Sequence, residues 1–210
     1  MLIAAMGDIH GNLPALEAVL REIDDMGVQT IVNTGDCVVG HPWPNEVIDL
    51  LRARGVATVQ GEWDRLAARF ERKKARIERE IPADDLAAIR ETYEATHSGN
   101  LEFLAALPRE LHLTIDGITV CVCHGTPQGQ GDALHENDEI GKYRRHREVA
   151  NTDIIVCGRT HVPFSRSVDN TLFVNPGAVG VSADGRRVAQ YATISTEAAP
   201  WEARTHFVPY

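Results

Sequence analysis

The feature that most constrains the fold is a unit the chain uses repeatedly: a short apolar run, a polar turn bracketed by glycine, then apolar residues at helical spacing. Leu2-Ile3-Ala4-Ala5-Met6 is the first run and Gly7-Asp8-Ile9-His10-Gly11-Asn12 is its turn. Leu13, Leu16, Val19, Leu20 and Ile23 follow at helical spacing, with Pro14 acceptable in a first turn. A second strand over 30–33 ends in Gly35-Asp36, and after the loop His41-Pro42-Trp43-Pro44 a helix is predicted over 46–52. A third strand over 56–60 ends at Gly61-Glu62-Trp63-Asp64. Strands alternating with helices predict a parallel sheet covered by helices.

Residues from about 65 to 107 break this rhythm. They are highly charged and helical in pattern, interrupted at Pro82 and around Ser98-Gly99. Phe70, Ile77, Leu86, Ile89, Tyr93, Leu101 and Leu104 supply apolar positions for two or three amphipathic helices, read here as an inserted helical cap. Beyond it a hairpin is predicted over 111–115 and 118–123, a helix over 136–150, and strands over 154–157, 171–174, 187–194 and 203–208. The expectation is one α/β domain over 1–210.

Composition narrows the function classes. At 210 residues and 43% hydrophobic content the chain can bury a sizeable core, and disorder is excluded as its main state. The apolar runs are far shorter than the roughly 18 residues of a membrane helix. Met1 leads directly into the first strand with no basic segment before it, so no secretory signal is expected and the expected location is the cytoplasm. A net charge of -9 argues against a general nucleic-acid coat, since that affinity comes from Lys and Arg. The 4 cysteines form no CxxC pair and are expected to be reduced and buried, while the 9 histidines invite a search for clustering.

The chemistry collects at strand ends, where open α/β sheets place their ligand sites. Five ends carry it: Asp8-x-His10, Gly35-Asp36, Gly61-Glu62-Trp63-Asp64, His124-Gly125 and Gly158-Arg159-Thr160-His161. Mixed Asp and His donors suit borderline divalent ions such as Mn, Fe, Co, Ni or Zn, whereas a purely carboxylate set would suit Mg or Ca.

In order and position these blocks resemble the calcineurin-like metallophosphoesterases, whose signature runs DxH, GDxx, GNH(D/E), HG and GHxH. Pro44-Asn45-Glu46-Val47-Ile48, His161-Val162-Pro163-Phe164 and Asn175-Pro176-Gly177-Ala178-Val179-Gly180 also resemble the small bacterial and archaeal phosphodiesterase branch. The resemblance implies a four-layer α/β/β/α sandwich with an inserted helical cap and a metal centre at the strand ends. It implies that Asp8, His10, Asp36 and His161 hold a first divalent ion, with Asp36 bridging to a second. It places Glu62, His124 and Arg159 where the family holds the second ion, and Asn12 where a phosphate donor lies. The implied activity is hydrolysis of a phosphodiester or phosphomonoester of a small, nucleotide-like substrate by metal-activated water.

Three positions depart from that signature. Glu62 can still ligate a cation, but Arg159 cannot, because a guanidinium stays protonated and has no lone pair to offer. Trp63 stands where the family carries a histidine. An acid and a guanidinium meeting at one position can pair, so Arg159 is expected to supply the positive charge of the second ion. One or two ions per chain remain open, as does the alternative of a catalytically impaired phospho-ligand binder or scaffold. Within a mononuclear enzyme, Asn12, His124 and Arg159 are the expected catalytic partners of the phosphate. The basic run Arg69, Arg72, Lys73, Lys74, Arg76 and Arg79 is interleaved with Glu71, Glu78 and Glu80, the pattern of a solvated helix face, with substrate gathering as the rival reading. The cap also offers a face for a homodimer.

Overall fold

The computed structural model describes residues 1–181, 183, 185–197 and 199–210. The chain runs β1 (Leu2–Met6), α1 (Leu13–Asp25), β2 (Thr30–Asn33), α2 (Pro44–Ala53), β3 (Ala57–Thr58), α3 (Glu62–Ala68), α4 (Phe70–Glu80), α5 (Ala83–Ala95) and α6 (Ser98–Ala106). It continues with β4 (Glu110–Ile115), β5 (Ile118–Cys123), α7 (Ile140–Ala150), β6 (Ile154–Val156), β7 (Phe164–Val168), β8 (Thr171–Asn175), β9 (Val188–Ser195) and β10 (Glu202–Pro209). Two five-stranded sheets form, ordered β10-β9-β1-β2-β3 and β4-β5-β6-β8-β7.

Both sheets are mixed rather than wholly parallel. β1, β2 and β3 run parallel, as do β5, β6 and β8, but β9, β10, β4 and β7 add antiparallel edges. The layering follows from strand alternation, because successive side chains point to opposite faces. Ala4 and Met6 of β1 join Leu16, Val19, Ile23, Val47 and Ile48 beneath α1 and α2. Ile3 and Ala5 face the other way, onto Val120, Val122, Ile154, Val156, Leu172 and Val174 of the second sheet. The remaining faces of that sheet carry Cys121, Ile155, Cys157 and Phe173 to Tyr143 and Ala150 of α7. Three buried layers between four structural layers make an α/β/β/α sandwich, and burial on both faces explains why β1 is apolar throughout.

The 65–107 region holds most of four helices rather than two or three, because α3 and α4 break at Arg69 and α4 kinks at Lys73. Pro82 is the N-cap of α5 and Ser98 opens α6, the two interruptions legible in the sequence. Leu66, Phe70, Ile77, Ile89 and Leu104 are buried in the same core as α1 and α2. A polar network adds to this: Asn45 accepts from the His97 backbone at 2.8 Å, and the Asn100 amide donates to Asn45 and Asp49 at 3.2 Å each. The expected third strand shrinks to two residues, and β7 was not foreseen, since the Ser-Arg-Ser at its centre lacks an apolar repeat and it lies on an edge. Among the described residues no helix is long and apolar enough to cross a membrane.

Candidate metal centre

The five polar strand ends converge. Asp8 N–H donates to the Gly35 carbonyl, His10 N–H to the Asp36 carbonyl and Gly11 N–H to the Cys37 carbonyl, at 2.8 to 2.9 Å, which laces the loop after β1 to the loop after β2. From the other sheet, Gly158 N–H donates to the His124 carbonyl at 2.8 Å. Gly180 N–H returns to the Asp8 carbonyl at 3.0 Å, and Asn175 braces the 158–160 turn by donating to the Gly158 carbonyl and the Thr160 hydroxyl. Asp8, His10, Asp36, Arg159 and His161 all sit at positive φ, between 51° and 70°. Such non-glycine conformations cost energy and concentrate at functional sites.

The three histidines share one arrangement. His10 Nδ1 lies 2.8 Å from the Val39 carbonyl, His161 Nδ1 2.8 Å from the Val181 carbonyl and His124 Nδ1 3.0 Å from the Thr34 carbonyl. A carbonyl only accepts, so each Nδ1 is assigned the proton and each Nε2 is turned toward the centre, the orientation found behind metal-ligating imidazoles. His10 Nε2 and His161 Nε2 stand 3.3 Å apart, a contact that repels unless a proton or a cation lies between them. His161 Nε2 is 3.4 Å from Asp8 Oδ1, which is buried without a hydrogen bond. His124 Nε2 is within 3.1 Å of Asp36 Oδ2 but is not aligned with it as a hydrogen bond, and is likewise buried and unsatisfied.

These atoms form two ligand trios: Asp8 with His10 and His161, and Asp8 with Asp36 and His124. Asp8 is common to both trios, and Asp36, the expected bridge, belongs to the second. Asp36 Oδ1 is already committed to the Trp63 N–H at 2.8 Å, leaving Oδ2 toward His124. Glu62 belongs to neither trio. Its Oε2 accepts a 2.6 Å bond from Arg159, and its Oε1 lies 3.6 Å from Arg65. The Arg159 N–H also donates to Asp8 Oδ2 at 3.1 Å. Asn12 is occupied too: its side-chain oxygen caps α1 by accepting from Ala15 N–H, while its amide donates to the Gly180 carbonyl and the Tyr210 hydroxyl at 3.0 Å each. Both amide hydrogens are thereby committed, so acting as a phosphate donor would require one of these bonds to break.

The electrostatics are those of a site short of positive charge. Burial opposes a charged His124, but the Asp36 carboxylate outweighs it and raises the imidazole to about 9. Burial and the nearby Asp36 charge push Asp64 up to about 7. Sequence reasoning overlooked Asp64 as a clamp. It accepts from Cys37 and Val38 N–H at 2.8 and 3.3 Å and from Gly61 N–H at 3.0 Å, binding the second and third motifs together. Its signal was an acid three residues after Gly61, where a helix start favours one. Burial raises the Cys37 and Cys157 thiols, the latter to about 12, and the neighbouring Cys121 thiol together with burial raises Cys123, in keeping with inert packing. The buried, unsatisfied Asp8 and His124 atoms and the converging imidazoles fit a divalent cation.

Comparison with known proteins follows the same line. A model of the calcineurin-like phosphoesterase superfamily domain matches residues 1–199. The chain belongs to that superfamily. The calcineurin-like phosphoesterases bind divalent metals, and the two trios are candidate ligand groups for them. The uncharacterized protein MJ0912 of Methanocaldococcus jannaschii is 29% identical over 214 residues, covering 90% of this chain and 81% of that protein. The crystal structure of the hypothetical protein PH1004 from Pyrococcus horikoshii OT3 superposes with a TM-score of 0.90 at 23% identity, covering 100% of this chain and 88% of that one. A metallophosphoesterase from Sphaerobacter thermophilus superposes with a TM-score of 0.75 at 27% identity, covering 100% and 89%. The sandwich described above is the calcineurin-like phosphoesterase fold.

Proposed function

We propose that this chain hydrolyses a phosphodiester or phosphomonoester of a small, nucleotide-like substrate with the help of a borderline divalent ion such as manganese. The observation that carries this reading is the convergence of the His10 and His161 Nε2 atoms on the unsatisfied Asp8 Oδ1. Asp8, His10, Asp36 and His161 would hold the ion. Bound there, it would supply Lewis acidity toward a phosphoryl oxygen and lower the pKa of a nucleophilic water.

The rest of the chemistry belongs to the chain. The Val39 and Val181 carbonyls fix the His10 and His161 rings so that their lone pairs need no reorganisation. Glu62 orients the Arg159 guanidinium while leaving it further N–H donors, which would stabilise charge on the non-bridging phosphate oxygens. His124 would lie behind the site against Asp36, and Arg159 would supply the positive charge of a second ion. Asn12 acts by holding the start of α1 against Gly180.

Stripping the protein with chelator and restoring manganese or nickel tests this reading. Hydrolysis of bis-p-nitrophenyl phosphate should vanish and return. A second reading, a phospho-ligand binder without turnover, is favoured by the ion pair that takes up Glu62 and Arg159. It predicts binding of inorganic phosphate with no metal-dependent hydrolysis.

A further inference from the structure

The basic run and its interleaved acids separate in space. Arg65 of α3, Arg69 at the break between the helices, and Lys73 and Arg76 of α4 are brought together by that break and by the kink at Lys73, and all four line a cleft of about 400 Å³ between α3 and α4. Glu71 and Glu78 are not part of its lining, and Glu78 pairs with Arg90 on α5 at 3.3 Å. The acids that do line it are Glu62 and Glu80. Glu62 is taken by Arg159 and Arg65, and Glu80 by Arg76 and Arg79. Among the described residues Arg69 and Lys73 make no ion pair, and burial together with the neighbouring charges of Arg65, Arg72 and Arg109 holds Arg69 below the usual arginine range. Like charges gathered this way in an acidic chain lack an anion.

The cleft adjoins the metal centre. Glu62, at one end of it, bonds Arg159, and the next residue, Trp63, donates its N–H to Asp36. An anion lying along Arg69 and Lys73 would thus have the Glu62–Arg159 pair, and the metal centre beyond it, at one end of its cleft. We propose that this cleft seats the phosphate chain of the substrate beyond the scissile ester, so that the substrate class is a small ester carrying further phosphates in series, as in a nucleoside oligophosphate. The proposal rests on the phosphoesterase reading for its scissile bond. Its physical basis is charge-assisted bonding of phosphate oxygens by paired cations within a cleft of ligand size.

The test begins with calorimetric titration of the chelator-treated full chain with inorganic tripolyphosphate. Tripolyphosphate should bind more tightly than orthophosphate. An Arg69→Gln/Lys73→Gln double variant should weaken it by about tenfold or more, since two charged hydrogen-bonding partners are lost. Arg72→Gln/Lys74→Gln, with the same change of net charge but outside the cleft, should weaken it by less than about twofold. In turnover, the first pair should lower kcat/KM through KM for the p-nitrophenyl ester of thymidine 5′-triphosphate more than for that of thymidine 5′-monophosphate. Equal weakening by both pairs, no preference for tripolyphosphate over orthophosphate, or a short single-stranded oligonucleotide binding more tightly and losing its affinity in the Arg69 and Lys73 variant would each overturn the proposal. Because the titration needs no catalysis, a chain that binds tripolyphosphate as described but hydrolyses nothing would overturn the phosphoesterase reading and leave the cleft as a binding site. A chain that hydrolyses bis-p-nitrophenyl phosphate but ignores tripolyphosphate would overturn the cleft alone.

Discussion

Arg159 reaches across 97 residues of sequence to donate a 2.6 Å hydrogen bond to Glu62. The pair joins the turn after β6 to the start of α3, and both side chains keep about a third of their surface exposed, so its importance lies in what it displaces more than in stability. By the resemblance of the 158–161 block to the family's GHxH signature, a guanidinium would stand in the place of an imidazole, and the Glu62 carboxylate meets that arginine.

Restoring an imidazole should therefore restore a ligand. In protein purified without chelator, the wild type is expected to hold about one divalent ion per chain and Arg159→His close to two, counted by elemental analysis. Two tightly held ions in the wild type would contradict charge replacement by Arg159.

His124 makes the metal-free protein sensitive to alkali. Its folded pKa of about 9 lies above the ordinary value of 6.5, so the stability it contributes with Asp36 is fully present below about pH 6.5 and is lost as pH rises through about 9. Melting of the chelator-treated protein should show this loss between about pH 7 and about pH 10, and His124→Gln should flatten it. An unchanged pH profile in the variant would contradict the assignment.

Gly61 is required by close approach. A Cβ there would overlap Asp36 N and Oδ1. Gly61→Ala should displace Asp36, cost about 1–3 kcal/mol in urea unfolding as other overpacking changes do, and reduce metal occupancy. Full occupancy with unchanged stability would count against the tight packing of these two loops.

Asp64→Ala removes the acceptor of three backbone N–H groups and should destabilise the fold by at least about 2 kcal/mol, measured by urea unfolding. A loss confined to a few tenths of a kcal/mol would show that water replaces the clamp.

Much of this was legible in sequence because it depends on strand ends. Apolar runs marked β1, β2, β5, β6 and β8, and the polar residues that follow β1, β2, β5 and β6 are those that converge. What stayed hidden depends on backbone and tertiary placement. No side-chain pattern foretells that the Val39, Val181 and Thr34 carbonyls orient three imidazoles, or that Asn12 spends its amide on Gly180 and Tyr210. The alternation of Arg and Glu in α4 resembles a solvated face in sequence, and only the break at Arg69 and the kink at Lys73 turn Lys73 and Arg76 into one cleft with Arg65 and Arg69.

Metal-dependent phosphoester hydrolysis would run through Asp8, His10, Asp36 and His161. The direct measurement is the rate of bis-p-nitrophenyl phosphate hydrolysis with added manganese or nickel, for the wild type and for His161→Ala. Turnover should require the ion and fall by at least about 100-fold in the variant, the upper end of what losing a mere orienting partner of a ligand costs. Equal rates in the two proteins, or no dependence on the ion in either, would contradict it.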